Sequence, residues 1–218
     1  MYCNVFISGG TGYLGRAVTA DLLARGHRVS ILARAGSEKK VLAGAVAIPG
    51  DALNAATFAG RLAGIDTLIH LTGTPHPAPW KEKQFRAVDQ VSLQASVAAA
   101  TGASIRHFVY VSVAHPAPAM RAYIQVRMEC EALLEKSGLR RTILRPWYVL
   151  GPGHQWPRLL RPAYAWAERS ERFRDGALRL GLVTLAQMSA ALVWAVENPP
   201  ADVQVLDVPA IRSRASSG

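Results

Sequence analysis

The fold is decided near the amino end of the chain, by residues 2–15, which read YCNVFISGGTGYLG. A short apolar run that ends at glycines is typical of a buried β-strand. After the glycines, Leu14, Val18 and Leu22 recur at the spacing of one helix face, and Gly26 stands where a glycine commonly follows a helix. The segment therefore predicts a strand, a glycine-rich turn and a helix, in that order.

Gly9, Gly12 and Gly15 are spaced three residues apart within this turn. A sharp turn needs a residue without a Cβ, which Gly9 supplies. Gly12 leaves the start of the helix bare, so that a pyrophosphate can approach it, and Gly15 lets the first helical turn pack closely. Unpaired N–H groups and the helix dipole would then hold the anion. The order of elements predicts a dinucleotide site, and an ordinary glycine-rich turn is the alternative.

The alternation of short apolar runs and helical segments continues along the chain. Further strands are predicted at 27–34, 46–48, 66–71, 106–111 and 141–144. Helices are predicted at 53–63, 81–100 and 120–136. Strands that alternate with helices build a parallel sheet through right-handed crossovers. We therefore expect an α/β protein with a Rossmann-like, doubly wound parallel sheet and helices on both faces.

The regular pattern weakens after residue 152. Helices are predicted there at 158–171 and 184–197, with a late strand at 203–208. The expected organisation has a dinucleotide-binding domain at 1–153, a small C-terminal substrate-side or lid region at 154–211 packed on that domain, and a frayed tail at 212–218.

Composition narrows the class of protein further. The 218 residues carry a formal net charge of +10, spread over both halves, which favours anions in general without selecting nucleic acid. Cys3 and Cys130 form neither a disulfide framework nor a metal-binding spacing, so we expect reduced thiols and a cytoplasmic location. The amino terminus lacks a signal peptide's basic leader. No apolar run reaches the roughly 18 residues of a membrane span.

The residues that follow the second and third strands bear on the choice of cofactor. Arg34 ends the second strand, where an acidic residue would bind the ribose 2′-hydroxyl of NAD. An arginine there can pair with a 2′-phosphate, so we expect NADP, with NAD still possible and a solvent-exposed arginine as the alternative reading. Asp51 and Ala52 follow the third strand. The Asp51 carboxylate could accept a hydrogen bond from the adenine amino group, or it could close a turn.

The glycine turn resembles the fingerprint of extended and atypical short-chain dehydrogenases/reductases, which include NAD-dependent epimerase/dehydratases and NmrA-like proteins. Asp51, the fourth-strand ending at 71–73, the strand at 108–112 and the segment at 144–153 carry the same resemblance, in the right order over residues 2–153. It implies an NAD(P)-binding fold and hydride transfer on sugars, ketones or other small carbonyl compounds. The implied cofactor contacts include Gly9, Thr11, Gly12, Tyr13, Leu14, Gly15, Leu71, Thr72 and Gly73.

The resemblance also implies an active site with a tyrosine and, four residues later on the same helix face, a lysine whose cation lowers the tyrosine pKa. Tyr123 keeps the tyrosine position, but Arg127 stands where lysine is expected. We expect Tyr123 to be the acid/base, with an ordinary half-buried helix tyrosine as the alternative. Arg127 is expected to be the ribose and electrostatic partner. The family's substrate-positioning Ser or Thr falls on Val113, so either Ser112 serves instead or no residue does.

The segment Pro146-Trp147-Tyr148-Val149 resembles the part of the family that lines the nicotinamide pocket. Backbone groups there would contact the carboxamide, while Trp147 and Tyr148 either floor the substrate site or belong to the core. The six histidines show no metal-ligand spacing, so no metal site is expected.

Aromatic and basic residues alternate over 156–174, which suits a substrate lid or a dimer helix and, as a minority reading, contact with a membrane surface. The sequence thus indicates a monomeric or homodimeric NADP-dependent oxidoreductase acting on a small carbonyl or alcohol. The alternative is a non-catalytic NAD(P)-binding sensor or assembly protein that has lost the full catalytic set.

Overall fold

The computed structural model describes residues 2–151 and 174–214. The strands in those ranges are β1 (Asn4–Ser8), β2 (Arg28–Ala33), β3 (Val46–Pro49), β4 (Thr67–His70), β5 (His107–Val111), β6 (Arg141–Leu144), β7 (Tyr148–Leu150), β8 (Leu182–Thr184) and β9 (Val203–Leu206). The helices are α1 (Tyr13–Ala24), α2 (Glu82–Gln84), α3 (Val91–Gly102), α4 (Arg121–Lys136), α5 (Arg174–Arg179), α6 (Leu185–Glu197) and α7 (Val208–Arg214). A π-helical turn, Phe85–Gln90, joins α2 to α3.

Seven parallel strands form one sheet in the order β3-β2-β1-β4-β5-β6-β9. The predicted doubly wound, Rossmann-like α/β fold is therefore confirmed. The strand order reverses between β1 and β4, and ligands of such sheets bind in the crevice beyond the carboxyl ends of the strands at that point. β7 and β8 pair in parallel as a separate two-stranded sheet.

Successive residues of each strand point to opposite faces of the sheet, so the strands supply two cores. On β1, Val5 and Ile7 belong to one core, while Phe6 belongs to the other. The first core packs against α1, α6 and α7, and its strand residues are mostly β-branched. The second packs against α3 and α4 and contains Phe108 and Tyr110 of β5. Helices thus cover both faces, as strands that are apolar throughout require.

The helix predicted at 53–63 is wrong. That segment instead forms two short 3₁₀ turns, Ala55–Thr57 and Ala59–Arg61. Polar side chains bond the backbone locally here: the Asn54 side chain accepts from the Ala56 amide at 3.1 Å, and the Thr57 hydroxyl donates to the Asn54 carbonyl at 2.7 Å. Such bonds compete with a continuous helix.

The end of the described chain also differs from expectation. Arg212 was placed in a frayed tail by the sequence, but it lies in α7, where its Nε donates to the carbonyl of Leu182 at 3.0 Å. The helix predicted at 158–171 lies outside the described residues, as does the segment 156–174 apart from its last residue. None of the helices in the described ranges is long and apolar enough to cross a membrane.

Candidate functional site

The glycine turn between β1 and α1 is built from very close backbone contacts. Gly9 has a φ of +79°, a left-handed conformation that glycine adopts without strain. A Cβ on Gly9 would also lie 2.7 Å from the carbonyl carbon of Leu71, so the turn rests on the chain leaving β4. A Cβ on Gly15 would lie 2.5 Å from the Cα of Gly10. Both positions therefore exclude any side chain.

Gly12 differs, because open space surrounds it on the solvent side. The nearest atom to a Cβ there would be the Gly9 carbonyl oxygen, at 3.4 Å. Gly12 caps α1 in an extended conformation and, being a glycine, supplies no side-chain cap hydrogen bond. The first amides of a helix have no partner within the helix, and the helix dipole favours an anion beside them. This end of α1 can accommodate a diphosphate.

Arg34 and Asp51 emerge at the same edge of the sheet as the glycine turn. Ser8 of β1 is paired with Leu32 of β2, so Arg34 follows two residues beyond that pair, where it is exposed. Asp51 is exposed too, and its Oδ1 accepts the Leu53 amide at 3.0 Å. The structure thus gives Asp51 a turn-closing role, and it places Arg34 where a cation could meet a phosphate.

A buried polar network that the sequence reading missed lies beneath the turn. The Ser8 hydroxyl is 3.0 Å from both the Thr72 hydroxyl and the His70 Nδ1. Two serines of α3 complete it: Ser96 lies 3.0 Å from His70 Nδ1, and Ser92 lies 3.4 Å from His70 Nε2. Burial, with repulsion from Arg127, lowers the pKa of His70 to about 3, so the imidazole is neutral. The parallel register of Ser8 and His70 is what brings these residues together.

Arg127 is held inside the protein by three hydrogen bonds. Its Nη2 donates to Asp89 Oδ1 at 2.7 Å, while its Nη1 donates to the Tyr110 hydroxyl at 3.1 Å and to the Val111 carbonyl at 3.0 Å. The Arg127 side chain is only 9% exposed. Asp89 Oδ2 in turn accepts the amide and the hydroxyl of Thr74, at 2.9 and 2.6 Å. The Arg127 guanidinium, which the sequence predicts to face a ribose, is therefore paired with the internal carboxylate of Asp89.

Tyr123 lies beside this ion pair. Its ring centre is 5.0 Å from the Arg127 guanidinium carbon and 5.0 Å from the Phe85 ring. Burial raises the pKa of Tyr123, Arg127 lowers it, and Asp89 raises it again, so that the pKa is above its ordinary value. The lowering implied by the family resemblance is thus outweighed. Tyr123 carries its proton at neutral pH and can donate it.

Ser112 and Val113 follow β5, near the carboxyl end of the sheet. Ser112 is buried, and its Oγ has no hydrogen-bond partner within the described part of the chain. Val113 is 3% exposed and offers no polar group. Of these two residues, only Ser112 could bond a substrate oxygen.

The segment after β6 packs beside the glycine turn. The Pro146 carbonyl accepts the Ala114 amide at 2.9 Å, and Trp147, Tyr148 and Val149 are half-buried. The pKa of Tyr13 is raised by burial and by the neighbouring phenols of Tyr148 and Tyr123. A Cβ on Gly151, just after β7, would lie 3.1 Å from the Tyr13 ring, so this segment contacts the start of α1.

A cavity of about 410 Å³ opens beyond the carboxyl ends of β5, β6 and β9. His115, Arg145, Arg179 and Asp207 are among its lining residues. The Arg145 Nε donates to Glu131 Oε1 at 3.1 Å, and Nη2 donates to the other carboxylate oxygen. The volume is within the range of small-molecule sites. Within the described ranges, no three His, Cys, Asp or Glu residues are placed to hold a metal ion.

Comparison with known proteins also indicates a nucleotide-binding family. A family model described as NAD(P)H-binding matches residues 9–171. The chain is 27% identical over 222 aligned residues to a 4-hydroxy-2-methyl-3-oxo-4-farnesyl-3,4-dihydroquinoline-1-oxide ketoreductase of Stigmatella aurantiaca, covering 90% of this chain and 65% of that protein. It is 30% identical over 145 residues to the photosystem II assembly factor Ycf39 of Trieres chinensis, covering 65% and 44%. The chain thus spans less than two-thirds of the length of these relatives.

A solved structure, MoeE5 in complex with UDP-glucuronic acid and NAD, has the same fold. Its TM-score to this chain is 0.72 at 19% sequence identity, and the match covers 94% of this chain and 76% of that one. The likeness concerns the fold, since the sequences have diverged so far. These matches agree with the resemblance carried by the glycine turn.

Proposed function

The chain belongs to the NAD(P)H-binding family, and on that premise we propose that it is an NADP(H)-dependent reductase of a small carbonyl compound. The observation that supports the proposal most is that a protonated Tyr123 lies beside Arg127, which contacts the loop after β4 on which the glycine turn rests. Likeness to a ketoreductase supports the same reaction type.

The residues at the carboxyl edge of the sheet fit a dinucleotide. Gly12 leaves room where a Cβ would obstruct a diphosphate, and the amino end of α1 would attract its charge. Arg34 would pair with a 2′-phosphate, which is the basis for proposing NADP over NAD. The nicotinamide half would lie along Leu71, Thr72, Gly73, Pro146, Trp147, Tyr148 and Val149. When bound, the nicotinamide supplies or accepts the hydride.

Tyr123 would act as the proton donor. Its hydroxyl would give a proton to the substrate carbonyl oxygen, which becomes the hydroxyl of the alcohol product, and Tyr123 would then recover a proton from solvent. Because Tyr123 is protonated at neutral pH, it is suited to this direction. Ser112, whose buried Oγ lacks a partner in the described ranges, is the candidate to hold the same substrate oxygen.

The test is NADPH consumption by the purified protein against a panel of ketones, including 3-oxo compounds. We expect turnover with at least one ketone, and we expect Tyr123→Phe to lower kcat by roughly 10²- to 10⁴-fold, as loss of a general acid does. NADPH affinity should be unchanged in that variant. Equal turnover by Tyr123→Phe and the unsubstituted protein would show that Tyr123 is not the proton donor.

A second candidate function is that of a nucleotide-binding assembly protein without catalysis. Likeness to an assembly factor supports it, as does Arg127 in place of lysine. Tight NADPH binding with no turnover on any ketone would favour this candidate.

A further inference from the structure

We propose that Asp89 is a positioning residue that opposes the charge of Arg127 at Tyr123, so that Tyr123 works as a proton donor. This inference deepens the proposed reductase function and rests on it. It concerns a carboxylate that the sequence reading did not single out, 38 residues before Arg127 in the chain.

The local fold directs Asp89 inward. It lies in the π-helical turn Phe85–Gln90, where the wider helix alters which residues face the core, and it is only 1% exposed. A buried carboxylate is tolerated only when its lone pairs are satisfied. Thr74 satisfies Oδ2 with two hydrogen bonds, and Arg127 satisfies Oδ1. Asp89 is therefore fixed in place by three hydrogen bonds.

The loop after β4 closes over this ion pair. A Cβ on Gly73 would lie 2.7 Å from Arg127 Nη2 and 3.0 Å from Asp89 Oδ1. Arg127 is also tied to Tyr110 and Val111 by its other amino group. These bonds fix the guanidinium, so its position relative to Tyr123 is set by Asp89 together with Tyr110 and Val111.

The charge balance at Tyr123 follows from this arrangement. The ionisable groups of the described residues that face it are Arg127 and Cys130 from α4, Asp89 from the π-helical turn, Tyr110 from β5 and Tyr13 from α1. A lone cation beside a phenol stabilises the phenolate, whereas a cation paired with a buried carboxylate does so much less. At neutral pH the phenols and the thiol are uncharged, so Asp89 and Arg127 decide the balance.

The consequence concerns the range of pH over which Tyr123 can donate a proton. Reduction of a carbonyl needs a proton donor at the substrate oxygen, whereas oxidation of an alcohol needs a base there. A site whose cation is compensated keeps its tyrosine protonated over a wider range of pH, which suits the tyrosine to proton donation during reduction.

The test is the titration of Tyr123 in the protein without nucleotide, read by NMR of tyrosine labelled at the phenolic carbon and assigned with Tyr123→Phe. We expect Asp89→Asn to lower the titration midpoint of Tyr123, because the compensating charge is lost while the shape is kept. Asp202→Asn is the matched control. It makes the same change on a carboxylate that is 79% exposed, just before β9 at the other end of the strands, and it should leave the midpoint unchanged. Equal midpoints in the two variants would overturn the proposal.

Asp89→Asn leaves a buried guanidinium without its partner, which can prevent folding. The double variant Asp89→Asn/Arg127→Gln removes both charges and covers that case. Because Arg127 affects the pKa of Tyr123 more strongly than Asp89 does, we expect a midpoint above that of the unsubstituted protein but below that of Arg127→Gln, which keeps the Asp89 carboxylate. Equal midpoints in the double variant and in Arg127→Gln would contradict the proposal. The titration needs no substrate, so it can succeed even if no ketone is turned over, which would count only against the proposed function.

Discussion

The first turn of α1 rests directly on the preceding loop, so that a Cβ on Gly15 would lie 2.5 Å from the Cα of Gly10. No real Cβ approaches backbone so closely, so a side chain at Gly15 would force α1 and the loop apart. Gly12, three residues earlier, has open space in the corresponding place. We therefore expect a substitution at Gly15 to change the stability of the protein, and a substitution at Gly12 to change its capacity to bind a ligand.

Gly15→Ala is expected to destabilise the protein. The added methyl group must push α1 away from the loop, and overpacking of this kind costs about 1–3 kcal/mol. Urea unfolding followed by circular dichroism measures the effect. A variant as stable as the unsubstituted protein would show that the loop can yield.

Gly12→Ala is expected to fold normally but to bind NADPH more weakly. Its methyl group would meet only the Gly9 carbonyl, at an ordinary 3.4 Å, and would otherwise project into the space proposed for the diphosphate. We expect at least a tenfold loss of affinity, about 1.4 kcal/mol, measured by isothermal titration calorimetry. Unchanged affinity would mean that the diphosphate lies elsewhere.

Arg34→Ala is expected to weaken binding of NADP more than that of NAD, by roughly tenfold, because only NADP carries the 2′-phosphate that a charged hydrogen bond would hold. Arg28→Ala is the matched control, since Arg28 is exposed at the opposite end of the same strand. The preference for NADP is wrong if the unsubstituted protein binds both nucleotides equally.

His70 is expected to make the protein sensitive to mild acid. Its pKa is lowered from 6.5 to about 3 by burial, so the unfolded chain binds a proton between these values that the folded protein does not. Its contribution to stability is complete above about pH 6.5 and is lost as the pH falls, by about 2 kcal/mol at pH 5.

Urea unfolding at about pH 6.5 and at about pH 5 checks this expectation. His70→Gln should lose part of the pH dependence, and the remainder belongs in part to His107, whose pKa burial lowers to about 4. The control His76→Gln changes an exposed histidine and should keep the full dependence. An equal slope in the two variants would contradict the assignment to His70.

The strands of the sheet were predictable from the sequence, because the spacing of apolar residues and the glycines that end each run are local signals. Strand β6 was expected at 141–144 and lies there, and the expected positions of α4 and α6 differ from the structure by one residue. The helix predicted at 53–63 does not form, and the reason is also local. The side chains of Asn54 and Thr57 make hydrogen bonds to the nearby backbone, which compete with a continuous helix.

By itself the sequence determined the seven strands of the main sheet, the glycine turn and the place of Arg34 after β2, since each depends on neighbours within a few residues. Tertiary structure alone decided the charge balance around Tyr123. Asp89 and Arg127 stand on different helices, and nothing in the spacing of either marks the other. Likewise, Ser8 meets His70 only because parallel pairing sets their register. Burial, which only the packed chain creates, then turns these contacts into shifts of pKa.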